Sequence, residues 1–378
     1  MSFLLIASYP DSLIKFRGPL IEAISNKGLQ VHVAVPDIAG NRDLKKELEA
    51  RNIVVHDIPL RRTGMNPLAD MLTLLHLLKL IRRIRPEYVL GYTIKPVIYG
   101  SLAAWLAKAP NRFALITGLG YAFQGEDNTG KRGLIRQLVQ RLYALALGTT
   151  HKVFFQNPDD QALFRQLNIL KPSTPSFVVN GSGVNISEYE PAPLPAQPCF
   201  LLIARLLGDK GVREYAQAAK QIKNTHPEVN FDLVGWIDEN PDAIQQQELD
   251  SWVQEGTLNY LGKLADVRPA IAACSVYVLP SYREGTPRTV LEAMAMGRAI
   301  ITTDAPGCRE TVVHEANGYL VPVKSVDALV TAMEAFINKP ELVDTMGKKS
   351  REMAEEKYDV NKVNAVMLRE MGINQLRN

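Results

Sequence analysis

The chain has 378 residues, 46% hydrophobic and 22% charged, a composition typical of globular proteins that excludes disordered and collagen-like chains. At about 150 residues per domain, this length predicts two or three domains. The net charge of +3 is uneven: residues 1–185 hold 23 Lys and Arg against 13 Asp and Glu, and the rest holds 20 against 27, so we expect the first half to meet an anionic partner.

The first half alternates short apolar runs with helical segments. Helical patterns cover residues 19–26, with Arg17 expected at the start of the first helix, and residues 67–85, before Pro86. Such alternation predicts a parallel sheet with helices on both faces. The candidate strands are residues 3–7, 31–35, 53–58, 88–91, 113–117, 153–156 and 177–180.

Residues 191–198 read PAPLPAQP, and four prolines in this stretch predict a stiff extended linker. The alternation then restarts, so we expect domains at 1–190 and 191–356, followed by a C-terminal helix at 357–378 that is able to pack back on the first domain. The candidate strands are residues 200–204, 231–234, 259–261, 276–279, 299–303 and 319–321. The candidate helices are residues 212–224, 241–254, 288–296, 326–338, 341–356 and 360–371.

Residues 280–292 (PSYREGTPRTVLE) join a buried strand to a helix. Glu284 and Gly285 lie in the loop, Thr286 is the expected N-cap and Pro287 the first helical residue. Glu292 follows on the helix. Carboxylates accept charge-strengthened hydrogen bonds from sugar and ribose hydroxyls. Either glutamate alone would fit a capping or solvated residue, but their spacing around a helix N-terminus favours a ligand site.

The same helix start is a candidate anion site. The amides of Arg288 and Thr289 are first-turn donors that suit a phosphate. Arg205 and Lys210, in IARLLGDKG, follow the first strand of the second half and place two cations at a strand's carboxyl end. They are able to stabilise a departing diphosphate electrostatically, without a metal. The alternative is a pair of surface cations.

No metal or cofactor site is predicted. The three cysteines form no C-x-x-C pair and suit a reducing compartment, and the six histidines lack metal-ligand spacing. Asp159 and Asp160 begin a helix, where acidic residues are favoured anyway. The N-terminus does not resemble a signal peptide, and no run of about 18 apolar residues predicts a membrane span.

The spacing of Glu284 and Glu292 (E-x7-E), with that of Arg205 and Lys210 (R-x4-K), resembles the retaining glycosyltransferases of family 4. The likeness covers nearly the whole chain. It implies a GT-B fold: two Rossmann-like, doubly wound α/β domains facing a central cleft, with the donor bound mainly by the second. The detailed pattern is similar to the bacterial branch that adds α-1,3-linked N-acetylgalactosamine to undecaprenyl-diphosphate-linked sugars.

The resemblance also implies roles for these residues. Arg205 and Lys210 would bind the donor diphosphate, Glu292 the ribose hydroxyls and Glu284 the transferred sugar. Gly262 and Lys263 lie at the positions where the family's backbone usually meets the nucleotide base.

The first domain is expected to bind the acceptor. Arg17, Lys95, Thr117 and Tyr121 lie near predicted strand ends and are candidates to contact an acceptor diphosphate or sugar. Many relatives carry histidine where this chain has Thr117, which argues against a histidine-based mechanism. No residue stands out as a general base, and the family implies same-face substitution in which the leaving phosphate helps to remove the acceptor proton.

Two basic amphipathic segments, residues 78–85 and 131–143, suit an anionic membrane surface. Their alternative is core helices with solvated cations. We therefore expect a cytoplasmic enzyme, peripherally attached to the inner face of the cytoplasmic membrane. The cations of the second segment are Lys131, Arg132, Arg136 and Arg141. No nucleic-acid-binding motif accompanies them, so nucleic acid is not an expected partner.

The expected reaction moves N-acetylgalactosamine from a UDP-sugar to a polyprenyl-diphosphate-linked saccharide. Two other functions stay open: transfer from another nucleotide sugar to a soluble acceptor, and non-catalytic binding of sugar nucleotides by two domains. A dinucleotide oxidoreductase is disfavoured, because no G-x-G-x-x-G opens the first helix.

Overall fold

A computed structural model describes residues 1–61, 64, 66–119 and 130–373, without the side chains of residues 130–132. The chain divides into two compact units. The first is Met1–Ser182 together with the C-terminal segment Asn361–Asn378, and the second is Gly183–Val360.

Within its described residues, the first unit is built on a seven-stranded parallel sheet. Its strands are β1 (Ser2–Ile6), β2 (Gln30–Val35), β3 (Val54–Asp57), β4 (Tyr88–Tyr92), β5 (Asn111–Ile116), β6 (Lys152–Phe155) and β7 (Ser176–Val178). Its helices are α1 (Asp11–Ser25), α2 (Arg42–Ala50), α3 (Pro67–Ile84), α4 (Ser101–Leu106), α5 (Gly130–Leu147) and α6 (Pro158–Gln166). The strand order β3-β2-β1-β4-β5-β6-β7 reverses beside β1, as in a doubly wound sheet.

The second unit repeats this plan with a six-stranded parallel sheet in the part that the structure describes. Its strands are β8 (Cys199–Ile203), β9 (Asn230–Val234), β10 (Asn259–Gly262), β11 (Val276–Leu279), β12 (Ala299–Thr303) and β13 (Gly318–Val321). Its helices are α7 (Val212–Thr225), α8 (Gln246–Gln254), α9 (Arg268–Ala273), α10 (Arg288–Ala295), α11 (Val326–Asn338) and α12 (Glu341–Met353). The order β10-β9-β8-β11-β12-β13 confirms the predicted pair of Rossmann-like α/β folds.

Each sheet is covered on both faces. Since alternate residues of a strand point to opposite sides, successive residues enter different apolar clusters. In β8, Phe200 and Leu202 enter one apolar cluster, and Leu201 and Ile203 enter another. All four are buried. Buried positions on both faces explain why the strands read as continuous apolar runs in the sequence.

The first helix differs from its prediction. It begins at Asp11, so Arg17 lies inside it and is buried, not at its start. Pro19 sits within the helix, where proline cannot donate a helical hydrogen bond, and Leu20 and Ile24 continue the buried face beyond it. The helix predicted at 241–254 begins later, at Gln246.

The proline-rich segment 191–198 belongs to the second unit, and the chain divides earlier, after Ser182. The buried guanidinium of Arg298 holds the segment by donating to the carbonyl oxygens of Ala192 and Pro193 at 2.9 and 3.1 Å. The extended prolines are therefore docked on the second unit.

After the second unit, helix α13 (Val360–Glu370) returns to the first. Its residues Met367 and Leu368 join the apolar cluster that contains Phe3 and Leu5 of β1. Lys152 of β6 donates to the carboxylate of Glu370 at 2.9 Å.

The first of the two basic segments has its apolar side in the core of the first unit. In residues 78–85, Leu80 and Ile81 are buried in the core, so the apolar side of this segment is not a membrane surface and its cations are solvated. Elsewhere, α4 packs against both α3 and α5, and all three carry large exposed apolar side chains. We call this set the apolar patch: Leu68, Met71, Leu72, Leu75, Trp105, Leu106, Leu134, Ile135, Leu138 and Leu145.

Candidate active site

An ion pair joins two of the predicted site residues in the second unit. The ammonium of Lys210 lies 2.6 Å from the carboxylate of Glu284, and their side chains are 14% and 18% exposed. Burial disfavours the Lys210 ammonium, but the charge and hydrogen bond of Glu284 outweigh it and raise the pKa of Lys210. The pair thus presents a permanent cation and its carboxylate side by side.

The turn that carries Lys210 packs tightly on the strand end that leads to Glu284. The backbone N–H of Tyr282 donates to the carbonyl oxygen of Asp209 at 2.8 Å. Gly211 has φ +72°, and a Cβ there would lie 2.2 Å from the carbonyl oxygen of Pro280. Only glycine allows this approach, so the turn and the loop are held together.

The Glu284 loop is fixed from a second side by the residues that follow β12. The backbone N–H of Glu284 donates to the carbonyl oxygen of Pro306 at 2.9 Å. Gly307 has φ +80°, and a Cβ there would lie 2.1 Å from the carbonyl oxygen of Glu284. The carboxylate therefore stands on a rigid loop.

Helix α10 begins at Arg288, as in the predicted range 288–296, but its cap lies one residue later than predicted. Pro287 occupies the N-cap position with no side-chain cap, and the helix begins at Arg288, so Thr286 is not the N-cap. Thr286 is half-buried and Gly285 is buried in the preceding turn. The Thr289 hydroxyl accepts from Tyr277 at 2.6 Å. The first-turn amides of Arg288 and Thr289 remain the predicted anion donors.

Glu292 lies one turn into α10 and is buried. The Arg288 side chain donates to its carboxylate at 2.8 Å, and the Tyr189 hydroxyl donates at 3.0 Å. Burial raises the pKa of Glu292, and both donors oppose that effect by favouring the carboxylate. Glu292 is thus oriented by two neighbours.

Arg205 follows β8 and pairs with a residue that the sequence did not single out. Its guanidinium lies 2.9 Å from the carboxylate of Asp238, in the loop after β9. Arg205 is 39% exposed in its side chain, so the guanidinium also reaches solvent. The positive charge of Arg205 lowers the pKa of Lys210, as expected for two cations that lie near each other.

Gly262 ends β10, and Lys263 follows it at the same edge of the sheet. The Gly235 N–H donates to the carbonyl oxygen of Gly262 at 2.9 Å, which links the ends of β9 and β10. The Lys263 ammonium lies 4.8 Å from the ring centre of Trp236.

The predicted acceptor residues are spread along the first unit. Arg17 is buried, with its guanidinium 5.2 Å from the ring centre of Tyr92. Lys95 forms an ion pair with Asp70 at 2.7 Å. Thr117 follows β5 directly and is half-buried. Tyr121 lies outside the described residues.

Sequence reasoning missed three residues of the second unit: Tyr189, Trp236 and Asp238. Trp236 and Asp238 follow β9 closely, so the rule that ligands bind at strand carboxyl ends would have found them. Tyr189 carries no such signal, because it reaches Glu292 from a segment that precedes the first strand of the unit.

No group of three or more His, Cys, Asp or Glu side chains in the described part of the chain is arranged to hold a metal ion. Over the same residues, no helix is both long and apolar enough to cross a bilayer.

Comparisons with known proteins agree with this architecture. The "Glycosyl transferase 4-like" family model matches residues 9–157, and the "Glycosyl transferases group 1" model matches residues 197–339. The chain is 30% identical over 364 residues to N,N′-diacetylbacillosaminyl-diphospho-undecaprenol α-1,3-N-acetylgalactosaminyltransferase of Campylobacter jejuni, covering 93% of each chain.

Two solved structures share the fold. Sucrose-phosphate synthase from Thermosynechococcus elongatus aligns with a TM-score of 0.78 at 18% identity, covering 98% of each chain. Anabaena HepE in complex with UDP-glucose aligns with a TM-score of 0.74 at 18% identity, covering 98% of this chain and 99% of that one. The fold is therefore GT-B, which these two structures share. The chain belongs to the group 1 and 4-like glycosyltransferase family and is a transferase enzyme.

Proposed function

We propose that this glycosyltransferase is retaining and moves N-acetylgalactosamine from UDP-GalNAc, in α-1,3 linkage, to an undecaprenyl-diphosphate-linked saccharide in surface glycan synthesis. The observation that carries the proposal is the Lys210–Glu284 pair, because it places a phosphate-binding cation against a hydroxyl-binding carboxylate. The printed activity of the Campylobacter relative supports the choice of sugar and acceptor.

Lys210 and Arg205 bind the donor diphosphate in this proposal. The Lys210 ammonium is charged at neutral pH, because its interactions with Glu284 outweigh burial and raise the pKa of the lysine. Arg205 supplies a planar fork of donors, and Asp238 holds that fork at 2.9 Å. The two cations stabilise the negative charge that develops on the departing diphosphate. The bound UDP-glucose of HepE supports a nucleotide-sugar donor.

The two glutamates accept hydrogen bonds from hydroxyl groups of the donor. Glu284 accepts hydrogen bonds from the transferred sugar, and its rigid loop fixes the sugar beside Lys210. Glu292 accepts from the ribose, and its contacts with Arg288 and Tyr189 orient the carboxylate. Gly262 and Lys263 meet the base, and the first-turn amides of Arg288 and Thr289 face the phosphates.

Transfer then proceeds by same-face substitution. The acceptor hydroxyl forms a bond to C1 of the sugar as the bond from C1 to the diphosphate oxygen breaks. The hydroxyl proton passes to the departing phosphate oxygen, so UDP leaves and the α-configuration is kept. No side chain has to act as the base.

The acceptor is bound by the first unit. Arg17, Lys95 and Thr117 are the candidate contacts in the described residues; Arg17 packs against Tyr92, and Lys95 pairs with Asp70. Tyr121 stays a sequence-based candidate.

The apolar patch supports peripheral attachment to the inner face of the cytoplasmic membrane, where a lipid-linked acceptor resides. Ten large exposed apolar side chains on three helices that pack side by side are more than isolated surface residues, and such a concentration favours an interaction site. Arg136 and Arg141 of α5 add positive charge, at about 1 kcal/mol per cation near anionic lipid. Leu138→Glu should abolish co-sedimentation with phosphatidylglycerol vesicles, whereas Val253→Glu, an exposed change on α8, should not. Equal co-sedimentation of both variants would contradict this surface.

The function itself is tested with a panel of UDP-, GDP- and ADP-sugars and a short polyprenyl-diphosphate-linked saccharide, with products read by mass. We expect a product that gains one N-acetylhexosamine from UDP-GalNAc. Transfer to a soluble sugar without lipid would favour the alternative acceptor, and no product from any donor would refute the proposal.

A further inference from the structure

Trp236 is an exposed aromatic residue at the carboxyl edge of the second unit's sheet. It lies just after β9 and is 42% exposed. Tryptophan is usually well buried, and where it stays exposed it often forms part of a binding surface.

The backbone around Trp236 is held in place on both sides. The Leu206 N–H donates to the carbonyl oxygen of Trp236 at 3.0 Å, and the Tyr260 hydroxyl donates to the carbonyl oxygen of Gly235 at 2.9 Å. A Cβ at Gly235 would lie 1.9 Å from the carbonyl oxygen of Ala204, so only glycine fits before the tryptophan. The indole is therefore presented from a rigid loop.

The position of Trp236 relates it to the diphosphate site. Its hydrogen bond to Leu206 places it one strand away from Arg205, and Asp238, two residues further on, holds the Arg205 guanidinium. On the other side, the Lys263 ammonium covers the ring at 4.8 Å. The indole thus lies between the cation that binds phosphate and the predicted base position.

We propose that the indole of Trp236 stacks on the base of the donor nucleotide, on the ring face that Lys263 leaves open. This inference rests on the proposed nucleotide-sugar transfer and adds the residue that supplies affinity for the base. Stacking is tolerant of base identity, because every base has a π-face. Trp236 therefore strengthens nucleotide binding without choosing between uracil and the purines.

Calorimetric titration of the full chain with UDP and with inorganic pyrophosphate separates stacking from the phosphate contacts. Trp236→Ala should raise the Kd for UDP about tenfold, within the range that alanine substitution of a stacking residue produces. The same variant should bind pyrophosphate as the wild type does, because that ligand has no base. Trp236→Phe keeps an aromatic face and should restore most of the UDP affinity.

Intrinsic fluorescence gives a second readout, since the chain has three tryptophans. UDP should quench the wild type, Trp236→Phe should lose most of the quenching, and Trp252→Phe on α8 should retain it. UDP affinity unchanged in Trp236→Ala, or equal weakening of UDP and pyrophosphate, would overturn stacking while leaving the transfer reaction intact. A wild type that binds neither UDP nor any other nucleotide would overturn both proposals.

Discussion

Replacing Lys210 by methionine removes one member of a largely buried ion pair. The ammonium and the Glu284 carboxylate lie 2.6 Å apart, with side chains 14% and 18% exposed. Breaking a buried pair typically costs about 3–5 kcal/mol, because the remaining charge loses its compensation. Since water still reaches both groups, we expect the lower end, about 3 kcal/mol.

This loss converts into a melting shift for the second unit, Gly183–Val360. For a domain of this size, 1 kcal/mol shifts Tm by about 2–4 °C, so Lys210→Met should lower Tm by about 6–12 °C. Glu284→Gln should have a similar effect. The double variant should recover most of the loss, because neutral groups of similar shape leave no uncompensated charge.

The effect has a defined pH dependence. The pKa of Lys210 is raised in the folded chain, because its interactions with Glu284 outweigh burial. A group with a raised folded-state pKa contributes its full stability below the unfolded value, about 10.4 for lysine, and loses it as pH rises through the folded value. The difference between wild type and Lys210→Met should therefore be constant from pH 7 to about pH 9 and shrink at higher pH.

Scanning calorimetry of the full chain measures these shifts, and Lys348→Met is the matched control. Lys348 pairs with Asp344 at 2.6 Å, but their side chains are 74% and 56% exposed. An exposed helical pair contributes about 0.3–0.5 kcal/mol, or about 1–2 °C here. Equal shifts for Lys210→Met and Lys348→Met would refute the reasoning that burial makes the Glu284 pair costly to break.

Three further experiments test the site and its surroundings. Gly211→Ala should lower the free energy of unfolding by more than about 3 kcal/mol in chemical denaturation and should impair transfer. Gly256→Ala is the control, because Gly256 has φ +69° and nothing within 4 Å of an added Cβ, and it should cost about 1–2 kcal/mol. Equal costs would contradict the close approach of Gly211 to the Glu284 loop. Burial raises the pKa of Glu292, so the folded chain binds the carboxyl proton more tightly than the unfolded chain does. The wild type should therefore lose stability relative to Glu292→Gln as pH rises above about 4.3, the unfolded value for glutamate. An opposite slope of Tm against pH would contradict a raised pKa for Glu292. Cys308 is buried and its pKa is raised to about 12 by burial, so a thiol reagent should modify it only after denaturation, and rapid labelling of the native chain would contradict its position.

The strands and the fold class were predictable because they depend on local apolar content. Runs such as residues 276–279 and 299–303 are buried on both faces and contain no charged residue, so the predicted bounds match β11 and β12. Helix ends were less predictable. Pro19 suggested a helix start, but the buried face of α1 continues through it from Leu13.

The site was predictable as a set of residue types at strand ends, and its pairings were not. The sequence singled out Lys210 and Glu284, yet the 2.6 Å contact between them depends on how two loops separated by 74 positions meet. The partners Asp238 and Tyr189 follow from the same tertiary packing. Arg298 likewise docks the proline-rich segment on carbonyl oxygens that no local pattern reveals.

The catalytic assignment of the second unit is tested most directly by the transfer rate of Glu284→Ala with UDP-GalNAc and the lipid-linked acceptor. We expect kcat/KM to fall at least about 100-fold, with a comparable fall for Lys210→Ala, as expected for losing charged contacts to the reacting groups. Glu255→Ala, whose partner is Lys220 on the surface of the same unit, should transfer at the wild-type rate. Full activity in both Glu284→Ala and Lys210→Ala would contradict the account.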